Sequence, residues 1–124
     1  MVNILYIAGG GALGALLRYW MSTLMDNIFG HDFPYGTLSV NVIGSVAIGL
    51  LYMVSVERFT ISVELRAGLM IGLLGAFTTF SSFSLETLTL IQSGQQVKAV
   101  LNVILSVTLC LIGCWAGMAL GKQI

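Results

Sequence analysis

The sequence predicts an all-α membrane protein with four transmembrane helices per subunit. Of its 124 residues 57% are hydrophobic, 8% are charged and one is proline, a composition outside the range of soluble domains. Mean hydropathy is +0.99. Uncharged stretches of about the 20 residues that a helix needs to cross the hydrocarbon core recur along the chain. None of them alternates with the period of two that a transmembrane β-strand shows.

The spans follow in order. The first, residues 2–25, holds a single charge, Arg18. A cleaved signal peptide is not expected there, because no Lys or Arg precedes the apolar run and the run is longer than an h-region. The second, residues 37–56, is uncharged and has Asn41 near its start. The third, residues 65–91, is uncharged from Ala67 to Leu85, and the fourth, residues 98–121, from Ala99 onward. Short polar segments, "DNIFGHDFPYG", "VERFTISVELR" and "QSGQQVK", separate them. Residues 1–124 therefore read as one transmembrane domain whose successive helices run antiparallel.

Glycines recur four apart at Gly10 and Gly14, at Gly68 and Gly72, and at Gly113, Gly117 and Gly121. Lipid offers no hydrophobic force between helices, so small residues that let backbones approach are a main source of association. Packing within the chain and contact between two copies both fit. The run "GGGALG" matches G-x-G-x-x-G, but no strand precedes it and the match is accidental. Cys110 and Cys114 share one helix face, and the single histidine, His31, lies in a loop, so neither a disulfide nor a zinc site is expected. Five basic and five acidic residues cancel, which leaves no footprint for nucleic acid.

With four spans, Arg58, Arg66 and Lys122 fall on one side of the membrane; Lys98, and Arg18 if it snorkels, fall on the other. The positive-inside bias is close to nil. Insertion in both orientations, followed by assembly of an antiparallel homodimer, is the consequence. One four-helix unit is also small for enclosing a pathway.

Polar groups inside a membrane are expensive and mark candidate sites. The set comprises Arg18, Asn41, Glu86 and the hydroxyls from Thr78 to Ser84. Phe77, Phe80 and Phe83 form one stripe on a helix, and Ser81, Ser84 and Thr87 form another beside it. Such a pair of stripes serves packing or a wet path, and periodicity does not decide between them. "GAFTTF" is a poor helix interior. A break there frees backbone carbonyls that must find protein, water or an ion. Asn41 suits a helix-to-helix hydrogen bond, Arg18 a headgroup or a helix C-terminus, and Glu86 the solvated interface.

The segments "GGALGALLRY", "GTLSVNVIGS" and "GAFTTFSSFSLE" resemble the Fluc/CrcB family of fluoride channels, in that order and across essentially the whole chain. The resemblance implies a dual-topology antiparallel homodimer with two fluoride pathways in a bacterial inner membrane. It also implies a structural sodium ion at the dimer centre, held by main-chain carbonyls of Gly75 and Thr78 where the third helix breaks. The pathway residues implied are Asn41, Phe80, Phe83, Ser81, Ser84, Ser106 and Thr108. A further track position, hydroxylated in relatives, falls on Cys110. Arg18 is implied as structural or as the source of a positive vestibule, with Glu86 beside it.

Fluoride is small and strongly hydrated, so its path needs substitute donors: hydroxyls, an amide N–H and the positive edges of aromatic rings. These must be several and individually weak, since an ion held too tightly does not leave. The rival reading is a small dual-topology proton-coupled exporter of the multidrug type, but that pattern has a carboxylate within the first span where this chain has Arg18. A non-conducting helper subunit is a second rival. No nucleophile–base pair supports an enzyme.

Overall fold

A computed structural model describes residues 2–58 and 60–124. Met1 and Phe59, within the expected 56–66 linker, lie outside the described residues, as does the side chain of Arg58 counted above. Helix α1 is Val2–Phe29. Helix α2, Tyr35–Met53, continues into a wide π-type turn at Val54–Arg58. Helix α3 is built of Val63–Ala67, a π-type stretch Gly68–Leu74 and a last turn Gly75–Phe77. Helices α4, Phe80–Gln92, and α5, Gln96–Gln123, complete the chain.

Among the described residues four segments are long and apolar enough to cross a membrane: Val2–Phe29, Tyr35–Glu57, Val63–Gln92 and Gln96–Gln123. Four such segments are expected from the sequence, and each runs a few residues beyond the bounds read there. Polar Asp26 and Asn27 do not end α1. The helix stops at Gly30, which adopts φ +84° while its N–H still bonds the Asp26 carbonyl at 2.8 Å. Pro34, which has no N–H to leave unsatisfied, precedes α2. Between α4 and α5 the chain turns at Gly94, φ +81°. There the Gly94 and Gln95 N–H groups bond the carbonyls of Ile91 and Leu90 at 3.1 and 2.8 Å, the Schellman pattern that satisfies a helix C-terminus.

Two close pairings hold the bundle. Helix α2 packs along α5, and α1 packs along the Gly68–Leu74 part of α3. Glycine permits both. A Cβ on Gly117 would overlap the Val46 carbonyl oxygen, one on Gly49 that of Cys114, and one on Gly14 that of Leu73. The glycine rows read from the sequence thus face helices of the same chain. Polarity is inverted relative to a soluble domain: Thr79, Thr87, Asn102 and Ser106 are buried, whereas Leu88, Leu111 and Trp115 face outward. An outward apolar shell is what a hydrocarbon solvent accepts.

Gly117→Ala is expected to lower stability by about 1–3 kcal/mol, the usual cost of overpacking, read as a fall in the thermal unfolding midpoint in detergent. Gly9→Ala, where an added Cβ meets nothing within 4 Å, is the control expected to hold or slightly raise that midpoint, since alanine is the better helix former.

Candidate functional site

Helical hydrogen bonding is interrupted between α3 and α4. Thr78 has φ −87° and ψ 158°, and Thr79 has φ −152° and ψ 116°, so both are extended. The local sequence favours this, since glycine and β-branched threonine are weak helix formers. On the α3 side, the Thr78 N–H and its hydroxyl both donate to the Leu74 carbonyl, at 3.0 and 2.9 Å. On the α4 side, Thr79 is the N-cap: its Oγ1 accepts from the Ser82 N–H at 3.1 Å.

Asn41, on α2, satisfies the exposed backbone in between. Its Nδ2 donates to the Thr79 carbonyl at 3.0 Å, and its Oδ1 accepts from the Thr79 N–H at 2.7 Å. One carboxamide thus does for Thr79 what a neighbouring strand would do. A regular helix would give the Thr79 N–H to the Gly75 carbonyl and the Ser82 N–H to the Thr78 carbonyl. Here those donors go to Asn41 and to Thr79 Oγ1, so both carbonyls lose their helical partners. Room for the extended pair comes from Gly44, where a Cβ would overlap the Thr78 methyl.

Two cavities meet at Thr79, which borders both. The first, about 620 Å³, holds the ionisable groups, with Arg18, Asp26, His31, Asp32, Thr37 and Glu86 among its lining. Arg18 and Glu86 are both half-buried there. The Thr37 hydroxyl donates to Glu86 Oε1 at 2.5 Å, while Glu86 Oε2 is buried without a hydrogen-bond partner. His31 Nδ1 stands 3.8 Å from Asp26 Oδ2. The second cavity, about 440 Å³, includes Asn41, Thr78, Phe80, Phe83, Ser106 and Cys110 in its lining. Among the described residues no charged one lines it. The Phe80 and Phe83 rings are 5.3 Å apart and tilted by 44°, and Phe80 is 78% exposed on the face of the molecule.

The structure therefore gathers Asn41, Phe80, Phe83, Ser106, Gly75 and Thr78 around one cavity, and Arg18 and Glu86 around the other. It does not bring the remaining candidates to either. Ser81 is exposed, its hydroxyl 3.2 Å from Thr79 Oγ1. The Ser84 hydroxyl donates to the Phe80 carbonyl at 3.0 Å. Thr108 is exposed on α5, because two residues turn a helix by about 200° from Ser106. Cys110, one turn after Ser106, lines the cavity instead. Phe77 leaves the expected aromatic stripe, being buried before the interruption. Two residues escaped the sequence reading, Thr37 and Asn102. The available signal for Asn102 was its place in a four-residue row with Ser106 and Cys110.

A family model described as "CrcB-like protein, Camphor Resistance (CrcB)" matches residues 5–118. The chain is 48% identical over 123 residues to the fluoride-specific ion channel FluC of Methylococcus capsulatus, which covers 99% of this chain but spans only 54% of that relative, about half its length. It is 50% identical over 120 residues to FluC of Shewanella putrefaciens, covering 97% of this chain and 96% of the relative. With FluC of Coxiella burnetii it shares 46% over 124 residues, 99% of this chain and 100% of the relative.

Asn41→Leu leaves the Thr79 N–H without a partner and takes one of two donors from its carbonyl, which as the N-cap keeps its bond within α4; one unsatisfied buried group costs about 1–3 kcal/mol. The unfolding midpoint is expected to fall well below that of Thr108→Val, which is expected to match the unmodified protein in the same detergent.

Proposed function

The chain belongs to the CrcB-like family, and from that premise we propose that it is a fluoride-selective channel exporting cytoplasmic fluoride passively across a bacterial inner membrane. One observation carries the reading: the second cavity offers an anion only uncharged donors, beside two phenylalanine rings. Full charge would trap a small anion, whereas several weak donors let it pass. Asn41 has a second N–H beyond the one used on Thr79. Ser106 adds a hydroxyl, and ring edges carry partial positive charge. Neutral HF crosses lipid and dissociates inside. A membrane potential negative inside then drives the anion out with no other energy source.

The path needs a second copy. Phe80 stands exposed, and the cavity opens on the molecular face. An antiparallel partner closes that face, in keeping with the small difference in basic residues between the two sides, three against two. The third helix is then the broken one, with its extended turn at the dimer centre. Sodium suits the carbonyl oxygens of Gly75 and Thr78, whose helical donors are engaged elsewhere, because hard cations take oxygen ligands. When bound it supplies a fixed positive charge that ties the two turns together. Arg18 faces Asp26, Asp32 and Glu86 around the first cavity, where it offsets part of an acidic lining and serves as a structural residue, and Glu86 is held there by Thr37.

Purified protein in liposomes is expected to release fluoride electrogenically, to retain chloride, and to need no proton gradient. Phe80→Ile or Phe83→Ile is expected to cut the flux by about tenfold, the equivalent of one aromatic contact of ~1.4 kcal/mol, with the dimer intact by size-exclusion chromatography. Undiminished flux in an assembled variant removes the rings from the mechanism. Equal passage of chloride contradicts selectivity.

A further inference from the structure

Among the described residues Asn102 is the most buried polar one, 2% exposed, and it links α5 to α4. Its Nδ2 donates to Thr87 Oγ1 at 2.9 Å. The Thr87 hydroxyl donates to the Phe83 carbonyl at 2.7 Å. At the other end, the Ser106 hydroxyl donates to Asn102 Oδ1 at 3.4 Å.

The direction of this chain is fixed by chemistry. A carbonyl only accepts, so the Thr87 proton is committed to Phe83 and the Thr87 oxygen must accept from Asn102. The amide nitrogen therefore faces Thr87 and the amide oxygen faces Ser106. An amide oxygen only accepts, so the proton of Ser106 turns toward Asn102. Ser106 lines the second cavity beside Phe83 and Cys110, so it presents lone pairs to that space. An anion is repelled by lone pairs. It gains Ser106 as a donor only by drawing the proton off Asn102, and a 3.4 Å bond, near the outer limit for hydrogen bonding, gives it up readily.

We propose that Asn102 is a positioning residue that competes with the permeating anion for the Ser106 proton, and so keeps Ser106 a weak donor. The inference rests on the fluoride pathway proposed above. It makes Asn102 a setting for affinity, distinct from the scaffold role its burial suggests.

The test is fluoride flux from proteoliposomes as a function of fluoride concentration. Asn102→Leu removes the competing acceptor at similar volume and strands no donor on Thr87. Thr87→Val, of the same shape as threonine, takes away the group that orients the amide, so Asn102 can turn its nitrogen to Ser106 and release the serine proton. Each is expected to lower the half-saturating fluoride concentration by about two- to tenfold, the effect of one hydrogen bond. Neither is expected to change it in a Ser106→Ala background. A change of equal size in both backgrounds makes Asn102 merely structural and overturns the proposal, as does an unshifted concentration in an assembled variant that retains Ser106. Thr87→Val carries the test if Asn102→Leu does not assemble. Wild-type protein that moves no fluoride overturns the channel reading itself, and the inference with it.

Discussion

The pairing of one side-chain amide with one backbone unit, Asn41 with Thr79, is the constraint from which the rest of the site follows. A bilayer supplies no water to unpaired peptide groups, so an extended pair of residues at membrane depth survives only where protein satisfies it. Asn41 is suited to this because a carboxamide carries donor and acceptor side by side, in the arrangement of the peptide group it meets. Serine or threonine offers a single oxygen, and a carboxylate accepts without donating. The interruption also resets the helix. With α4 starting afresh at Phe80 under the Thr79 cap, Phe80 and Phe83 point to the cavity while Phe77 stays in the core.

The close packing around this turn serves its placement. Gly44 clears the space in which Thr78 sits, and glycines at α2–α5 and α1–α3 bring the backbones near enough to hold Asn41 opposite its partner. The result divides polar chemistry between two spaces that share Thr79. One holds ionisable groups, among them Arg18 and Glu86; the other has neutral donors and aromatic rings. Ionisable groups are thereby kept apart from the weak, uncharged donors, a separation suited to letting an ion move without trapping it.

Much of this was legible in the sequence because hydropathy and helix propensity are local. The four spans and the weak point at Gly75–Thr79 needed no knowledge of tertiary structure. Linker ends were misread for a local reason too: Asp26 and Asn27 look like a turn, yet a helix continues until a residue such as Gly30 departs from helical φ. Questions left open were those decided across the bundle. Asn41 proves to bond the backbone of another helix, and the glycine rows pack within the chain. Asn102 drew no attention because an uncharged side chain does not interrupt an apolar span, and its partner Thr87 is on another helix. The aromatic stripe from Phe77 to Phe83 presumes one continuous helix, and the extended pair at Thr78 and Thr79 puts Phe77 off it.

The most direct test is an experimental structure of the purified protein crystallised from lipid in the presence of sodium. The account predicts two copies in opposite orientation, their Phe80 faces together, with Asn41 bonded to both backbone groups of Thr79 and density for a cation between the Gly75 and Thr78 carbonyls. A continuous helix through Thr78 and Thr79, or a parallel pair that leaves the aromatic cavity facing lipid, would contradict it.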